Sequence, residues 1–290
     1  MTCTLCPRRC GALRNENVGE GVCKAPTLPT VARAALHFWE EPPISGTNGS
    51  GTVFFSGCPL GCIFCQNEEV SHGGVGKTVT VPRLREICLE LLAQGAHNIN
   101  FVTPTHYAHA VAELLEQPLG APVVWNSGGY DSVETLNMLA GKIDVYLPDL
   151  KYVTPQRAAR YSGAADYPAV ALAALEEMAA QAGPPVMKDG LLKKGVLVRH
   201  LLLPGGLEEA KAVMDAVAER FPCGGVLFSL MCQYVPYGRA ADDKVIGRRL
   251  RRGEIRAAQE YMKNLGLAGY SQSGEAADER YIPPFDLTGV

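Results

Sequence analysis

Between residues 52 and 230, short runs of β-forming residues alternate with stretches whose apolar side chains recur at helical spacing. That alternation restricts the chain to parallel βα units. The β-rich runs cover 52–56, 99–103, 123–127, 144–147, 196–203 and 226–230. Several are apolar on both faces, as strands covered on both sides are. Between them, Leu84, Ile87, Cys88, Leu91 and Leu92 form a helix stripe, as do Ala108, Val111, Ala112 and Leu115. Ala210, Val213, Met214, Val217 and Phe221 form another. Asp131 with Glu134, and Thr154 before Pro155, mark helix starts. Lys188-Asp189-Gly190 marks a tight turn suited to a hairpin. Six such units occupy roughly 180 residues, whereas a closed eight-unit barrel takes about 250. The expectation is an α/β fold with a partial (β/α)6 barrel.

Three regions follow. Residues 1–50 are a Cys-rich N-terminal extension, residues 51–235 the partial barrel, and residues 236–290 a C-terminal segment packed on it. The tail Ile282-Pro283-Pro284-Phe285 docks as irregular chain, because proline lacks the ladder donor.

Charge excludes some partners. A formal charge of -3 and a pI near 6.1 give no overall field toward nucleic acid or an anionic membrane. The basic run Lys244, Arg248, Arg249, Arg251 and Arg252 has no interleaved aromatics for base stacking and reads as a solvated face. No apolar run reaches the roughly 18 residues of a membrane span, and no signal stretch opens the chain. A cytoplasmic protein is expected.

The ten cysteines then carry the chemistry. In a reducing compartment their spacing points to metal binding or catalysis rather than to disulfides. Cys88 belongs to a helix stripe and reads as core filler, and Cys223 and Cys232 as structural. Cys3, Cys6, Cys10 and Cys23 have the spacing C-x2-C-x3-C-x12-C. Four thiolates suit a closed zinc site or a second iron-sulfur cluster, the third reading being reduced surface thiols. Cys58, Cys62 and Cys65, in C-x3-C-x2-C spacing directly after the first strand, fill three irons of a 4Fe-4S cluster and leave the fourth open. A zinc site there needs a fourth ligand, from the N-terminal group or from His72.

This loop, with Phe64 before the last cysteine and Gln66-Asn67 after it, resembles the radical S-adenosylmethionine (SAM) superfamily and its pyruvate formate-lyase activating enzyme-like branch. Asp149-Leu150-Lys151, Val198 to Gly205, and the stretch Glu40 to Gly46 extend the resemblance over nearly the whole chain, the last toward an uncharacterised iron-sulfur subgroup. The resemblance implies a radical SAM enzyme. Such an enzyme splits SAM to methionine and a 5'-deoxyadenosyl radical that abstracts hydrogen from a substrate, here a protein or peptide in an activating reaction. It also implies an electron donor such as flavodoxin or ferredoxin. By family position Phe64 lies against the adenine, and Thr103-Pro104-Thr105 offers backbone to the amino group. Asn126, Ser127, Asp149, Lys151, Arg199 and His200 line the strand ends, with Gln233 and Tyr234 completing the wall. The chain departs from the pattern at three places. Thr103-Pro104-Thr105 replaces Gly-Gly-Glu, Asn126 replaces an Asp of a monovalent-cation site shared with Asp149, and Gly238 replaces a His.

Other readings stay open. Asn126 and Ser127 before Gly128-Gly129 also read as turn residues, Asp149 as a cap, and Arg199 as a structural ion-pair partner. His37, Trp39, Glu40 and Glu41 read as a lid or as the path into the first strand. Hydrogen abstraction from a small metabolite, or a non-catalytic iron-sulfur electron carrier, are the alternative functions.

Overall fold

The computed structural model describes residues 2–72, 74–272 and 283–290. In chain order the elements are β1 (Thr30–His37), α1 (Pro42–Ser45), β2 (Ser50–Phe55), α2 (Glu68–Ser71), β3 (Lys77–Thr78), α3 (Val81–Ala93) and β4 (Ile99–Val102). Then come α4 (Ala108–Leu114), β5 (Val123–Ser127), α5 (Val133–Met138), β6 (Val145–Pro148), α6 (Pro155–Ser162) and α7 (Tyr167–Ala182). The chain continues with β7 (Val186–Lys188), β8 (Leu191–Leu201), α8 (Leu207–Arg220), β9 (Leu227–Met231), α9 (Arg252–Leu265) and β10 (Gly269–Gln272).

The sheet runs β10-β9-β8-β6-β5-β4-β2-β1-β3, with β7 paired to β8. The six expected strands, β2, β4, β5, β6, β8 and β9, are mutually parallel and neighbour one another in that order. Three strands go beyond the expectation, among them the two-residue β3 paired antiparallel to β1. β10 adds a seventh parallel strand, and β1, from the Cys-rich first fifty residues, lies antiparallel on β2. β10 has the sequence Gly-Tyr-Ser-Gln, too short and polar to stand out by apolar content. The hairpin expected at residues 188–190 forms, with Asp189 at φ 52 and Gly190 at φ 77, the two left-handed residues of a type I′ turn.

Period-2 alternation sorts each parallel strand into an outer and an inner face. Val123 and Trp125, Tyr146, and Val196 and Val198 face outward into the main core under the helices. On the inner face Val124, Val145, Leu147 and Leu197 pack with Ile44 of α1, which plugs the barrel. Continuing two residues toward the carboxyl ends, the inner face turns polar, at Asn126, Asp149 and Arg199. A cavity therefore opens at that end. Outside the strands, Cys88 is fully buried on α3, as core filler should be. Cys232 is also buried, and Cys223 lies outside the residues whose side chains are described.

One helix start is different. The N-cap of α5 is Ser132, whose side chain accepts from the Thr135 amide, and not Asp131. Asp131 is instead buried beneath the site, accepting from Ser127 Oγ at 2.5 Å, Thr105 Oγ1 at 2.7 Å and Trp125 Nε1 at 3.3 Å. Pro155 does open α6, with Thr154 as its N-cap. In the tail, Phe285 sits edge-on to Phe54 at 5.6 Å and no helix or strand covers 283–290, while Ile282 lies outside the described residues.

Candidate active site

The loop that leaves β2 carries Cys58, Cys62 and Cys65 around one end of a cavity of about 250 Å³. Gly57 at φ 88 and Gly61 at φ 67 turn the backbone into the left-handed region, which glycine enters without a Cβ clash. At Gly57 a Cβ would stand 2.4 Å from the carbonyl oxygen of Cys23, so the N-terminal extension packs directly on the loop. The sulfurs are bonded mainly within the loop, Cys58 by the Leu60 and Gly61 amides and Cys65 by Ser71 and the Asn67 amide. Cys62 Sγ lies 2.9 Å from Ser162 Oγ, and the Leu60 amide points at Cys58 Sγ at 3.4 Å. Burial, reinforced by Cys62, pushes the Cys58 thiol up to about 12, and burial raises Cys65 as well. Thiolates in such a place need a cation to hold them deprotonated.

The opposite wall is charged. Arg199 donates from Nε to Asp149 Oδ1 at 2.9 Å, from Nη2 to Asn126 Oδ1 at 2.7 Å and from Nη1 to Glu40 Oε1 at 2.8 Å. Lys151 Nζ donates to the other oxygen of Asp149 at 2.5 Å. The result is an alternating chain Lys151, Asp149, Arg199, Glu40, in which every side chain is at most 17% exposed. Burial alone would raise Asp149, but Arg199 and Lys151 outweigh it and hold the carboxyl below its usual range. Burial likewise opposes the Lys151 charge, and Asp149 outweighs it. The Tyr167 hydroxyl fixes the backbone here, donating to the Asp149 carbonyl at 2.7 Å and accepting from the Lys151 amide at 2.9 Å.

Phe64, Thr103, Asn126, Ser127, Asp149, Lys151, Arg199 and Gln233 all line this cavity with the three cysteines. Thr103 stands at φ 57, an uncommon conformation for a β-branched residue, with its amide bonded to the Asn126 carbonyl at 2.8 Å. His200 and Tyr234 are elsewhere. His200, one residue past Arg199, falls on the outer face, where its Nδ1 donates to the Leu150 carbonyl at 2.7 Å and burial lowers its pKa. Tyr234 donates its hydroxyl to the Ile246 carbonyl at 2.8 Å.

Glu40 is the residue that spacing undervalued. Its Oε2 accepts from Asn100 Nδ2 at 3.0 Å and Asn126 Nδ2 at 2.9 Å, so it is part of the wall rather than a lid. Next to it, Glu41 is buried and accepts from Ser229, Tyr270 and Gln272 at 3.0, 2.7 and 2.8 Å, tying the same loop to β9 and β10. A second cavity of about 600 Å³, lined by His37, Trp39, Glu40 and Gln272, adjoins the first through Asn126, Arg199 and Gln233. The sequence signal was the pair of acids before Pro42-Pro43, whose partners lie far along the chain.

No family model matches the chain. An uncharacterized protein of Methanocaldococcus jannaschii, MJ0674, is 27% identical over 277 residues, covering 91% of this chain and 75% of that protein. The 7-carboxy-7-deazaguanine synthase of Methanothermobacter thermautotrophicus is 34% identical over 67 residues, 22% of this chain and 27% of that one. Among solved structures, Streptococcus suis SuiB bound to S-adenosylmethionine superposes with a TM-score of 0.56 at 14% identity, over 75% of this chain and 48% of SuiB. Methylornithine synthase (PylB) superposes with a TM-score of 0.50 at 14% identity, over 76% of this chain and 70% of that one. The fold is that of the radical SAM enzymes. The chain spans about half the length of SuiB.

In this radical SAM fold the donor set fits an iron-sulfur cluster. Three soft thiols stand on one loop at one end of the cavity, and among the described residues no further Cys or His lines it. Among the described residues no three His, Cys, Asp or Glu side chains converge as the ligands of a single ion do. A cubane instead takes one thiolate at each of several irons, which spreads its ligands apart. No helix is long and apolar enough to cross a membrane among the described residues.

Proposed function

We propose that the chain is a radical SAM iron-sulfur enzyme, with Cys58, Cys62 and Cys65 holding a 4Fe-4S cluster whose open iron binds SAM. The observation that carries the reading is the placement of three thiols on the loop after β2, across a cavity of about 250 Å³ from Lys151, Asp149 and Arg199. When bound, cluster and SAM supply reductive cleavage to a 5'-deoxyadenosyl radical. The chain's own residues bind and orient. Phe64, held edge-on to Tyr152 at 6.4 Å, offers a flat apolar face to the adenine. Thr103, Asn126 and Ser127 present polar groups at the carboxyl ends of β4 and β5. Asp149 fixes Lys151 and Arg199, leaving Lys151 as the cation beside the cysteine loop.

The adjoining cavity of about 600 Å³ is where a substrate would meet the radical. SuiB has been solved bound to a precursor peptide, which favours a protein or peptide substrate on this fold; the activating type of hydrogen abstraction rests on the sequence resemblance. A small metabolite is the competing substrate class. A reduced flavodoxin or ferredoxin is the electron donor in this reading, which places the protein in the cytoplasm. Anaerobic reconstitution, reduction in the presence of SAM and assay for 5'-deoxyadenosine tests it. An electron carrier makes none.

A further inference from the structure

The four N-terminal cysteines are left over by that reading. Residues 2–29 contain no helix or strand, only two isolated bridges, Thr2 with Leu13 and Arg14 with Gly19. Cys3, Cys6 and Cys23 are buried, and Leu5 and Ala25 are the buried apolar residues beside them apart from prolines. A segment with so little apolar core needs a staple, and its cysteines form no disulfide.

The backbone is bent around the thiols at a cost. Arg9 at φ 40 and Gly11 at φ 62 flank Cys10, and Lys24 at φ 54 follows Cys23. Two of these are not glycine, and such strain persists only where something overdetermines it. The same left-handed residues, Gly57 and Gly61, precede Cys58 and Cys62 in the barrel loop. Arg14 is buried, with its guanidinium 5.6 Å from the Tyr107 ring, and Nη1 donates to Cys3 Sγ at 3.4 Å. Nη2 of the same guanidinium donates to the Pro26 carbonyl, so Arg14 ties the Cys3 sulfur to the chain just past Cys23. Cys10 Sγ turns back onto Gly21, two residues before Cys23, where a Cβ would stand 3.2 Å from the sulfur.

We propose that Cys3, Cys6, Cys10 and Cys23 ligate a second iron-sulfur cluster, seated against the loop of the first. Three close thiols followed by one distant thiol match the ligand runs of clusters, whereas zinc sites pair their cysteines two and two. The seat is visible. The Cys23 carbonyl meets Gly57 backbone to backbone, and Arg8, between Cys6 and Cys10, donates to the carbonyls of Pro59 at 2.8 Å and Gly163 at 2.6 Å. Thr135 Oγ1 donates to the Leu5 carbonyl at 2.5 Å and anchors the far side.

The test counts iron, acid-labile sulfide and zinc, with Mössbauer spectra, on anaerobically purified full-length wild type and two variants. The triple variant Cys58→Ala, Cys62→Ala, Cys65→Ala leaves the N-terminal lobe intact and is expected to retain a cluster, with about half the wild-type iron if both are cubanes. The variant Cys6→Ser, Cys10→Ser is expected to lose the complementary share. A triple variant without iron overturns the proposal even if the double variant fails to fold. So does a double variant that loses zinc and no iron, or no metal at all. If the barrel cluster is what is wrong, the triple variant keeps all the wild-type iron while the double variant still loses its share, so the two failures are told apart.

Discussion

The cysteine loop and the charged wall face each other across one cavity but are built in opposite ways. Cys58, Cys62 and Cys65 lie within eight residues of one another, and the partners of their sulfurs include Leu60 of the same loop and Ser162. Arg199, by contrast, is held by partners 50, 73 and 159 residues away, each through a short hydrogen bond. The cysteine set is thus local in sequence, while the wall is distributed along the chain and its members satisfy one another. The first is expected to matter for chemistry with little effect on folding, and the second for both.

The largest effect tests the loop. Alanine at Cys58, Cys62 or Cys65 is expected to reduce 5'-deoxyadenosine formation to background while the unfolding free energy of the metal-free protein changes by less than about 1 kcal/mol. Each removes one thiolate of the set and leaves no buried charge unpaired. Product formation retained in any one of the three would sink the cluster assignment.

The wall is expected to behave differently. Arg199→Ala leaves Asp149 and Glu40 facing one another without their shared cation, and removal of one partner from a buried pair costs about 3–5 kcal/mol. Denaturant unfolding measures it. Combining Arg199→Ala with Glu40→Gln should recover part of that loss, a coupling of about 0.5–3 kcal/mol, because Glu40 no longer brings an unpaired charge. Additive losses would show that Glu40 is not Arg199's partner in solution. Weaker SAM binding by Arg199→Ala at a stability matched by denaturant would add a cofactor role to the structural one.

This contrast also explains what the sequence showed. The six parallel strands were legible as short β-rich runs alternating with helix stripes, and the grouping of the three cysteines on one loop was legible because they are near neighbours in sequence. Arg199 and Asp149 were legible as strand-end residues, but not that each would be the other's partner. Glu40 was not, since its partners Asn100, Asn126 and Arg199 become neighbours only once the barrel brings β4, β5 and β8 around the loop before α1. His200 was placed with Arg199 by the family resemblance, although strand period 2 sends consecutive side chains to opposite faces. β10 escaped because a four-residue edge strand, Gly-Tyr-Ser-Gln, is too short to carry a periodic signal.

The two acids of the wall and plug give opposite pH dependence. Asp149 is held below its ordinary value of 3.8, so its stabilisation is present above that value and is lost as pH falls through the folded pKa. Glu41 is raised above 4.5, chiefly by burial, so the fold holds its proton more tightly than the unfolded chain does. Its contribution is complete below 4.5 and is lost as pH rises through the folded value. Asp149→Asn is therefore expected to flatten the acid side of the stability profile, and Glu41→Gln the side above the carboxylate range. A Glu41→Gln profile parallel to wild type on that side would mean that the ionised carboxylate is fully compensated by Ser229, Tyr270 and Gln272.

The smallest effect concerns Thr103, at the rim between loop and wall. Its φ of 57 places a β-branched side chain in the left-handed region, with the amide fixed on the Asn126 carbonyl at 2.8 Å. Such a conformation costs about 1–3 kcal/mol for a non-glycine residue. Thr103→Gly removes that strain without moving the amide, and returns roughly 0.5–1 kcal/mol of it through the greater freedom of glycine in the unfolded chain. The net expectation is a gain of about 1 kcal/mol, a rise in melting temperature of about 2 °C for a chain of this size. Because Thr103 lines the cavity, the same variant is expected to bind SAM more weakly: the rim loses a polar group and the rigidity that held it. A fall in melting temperature would show that the threonine side chain's own contacts outweigh the strain. A rise with unchanged SAM affinity would confine the role of Thr103 to the backbone, through the amide that holds the end of β5.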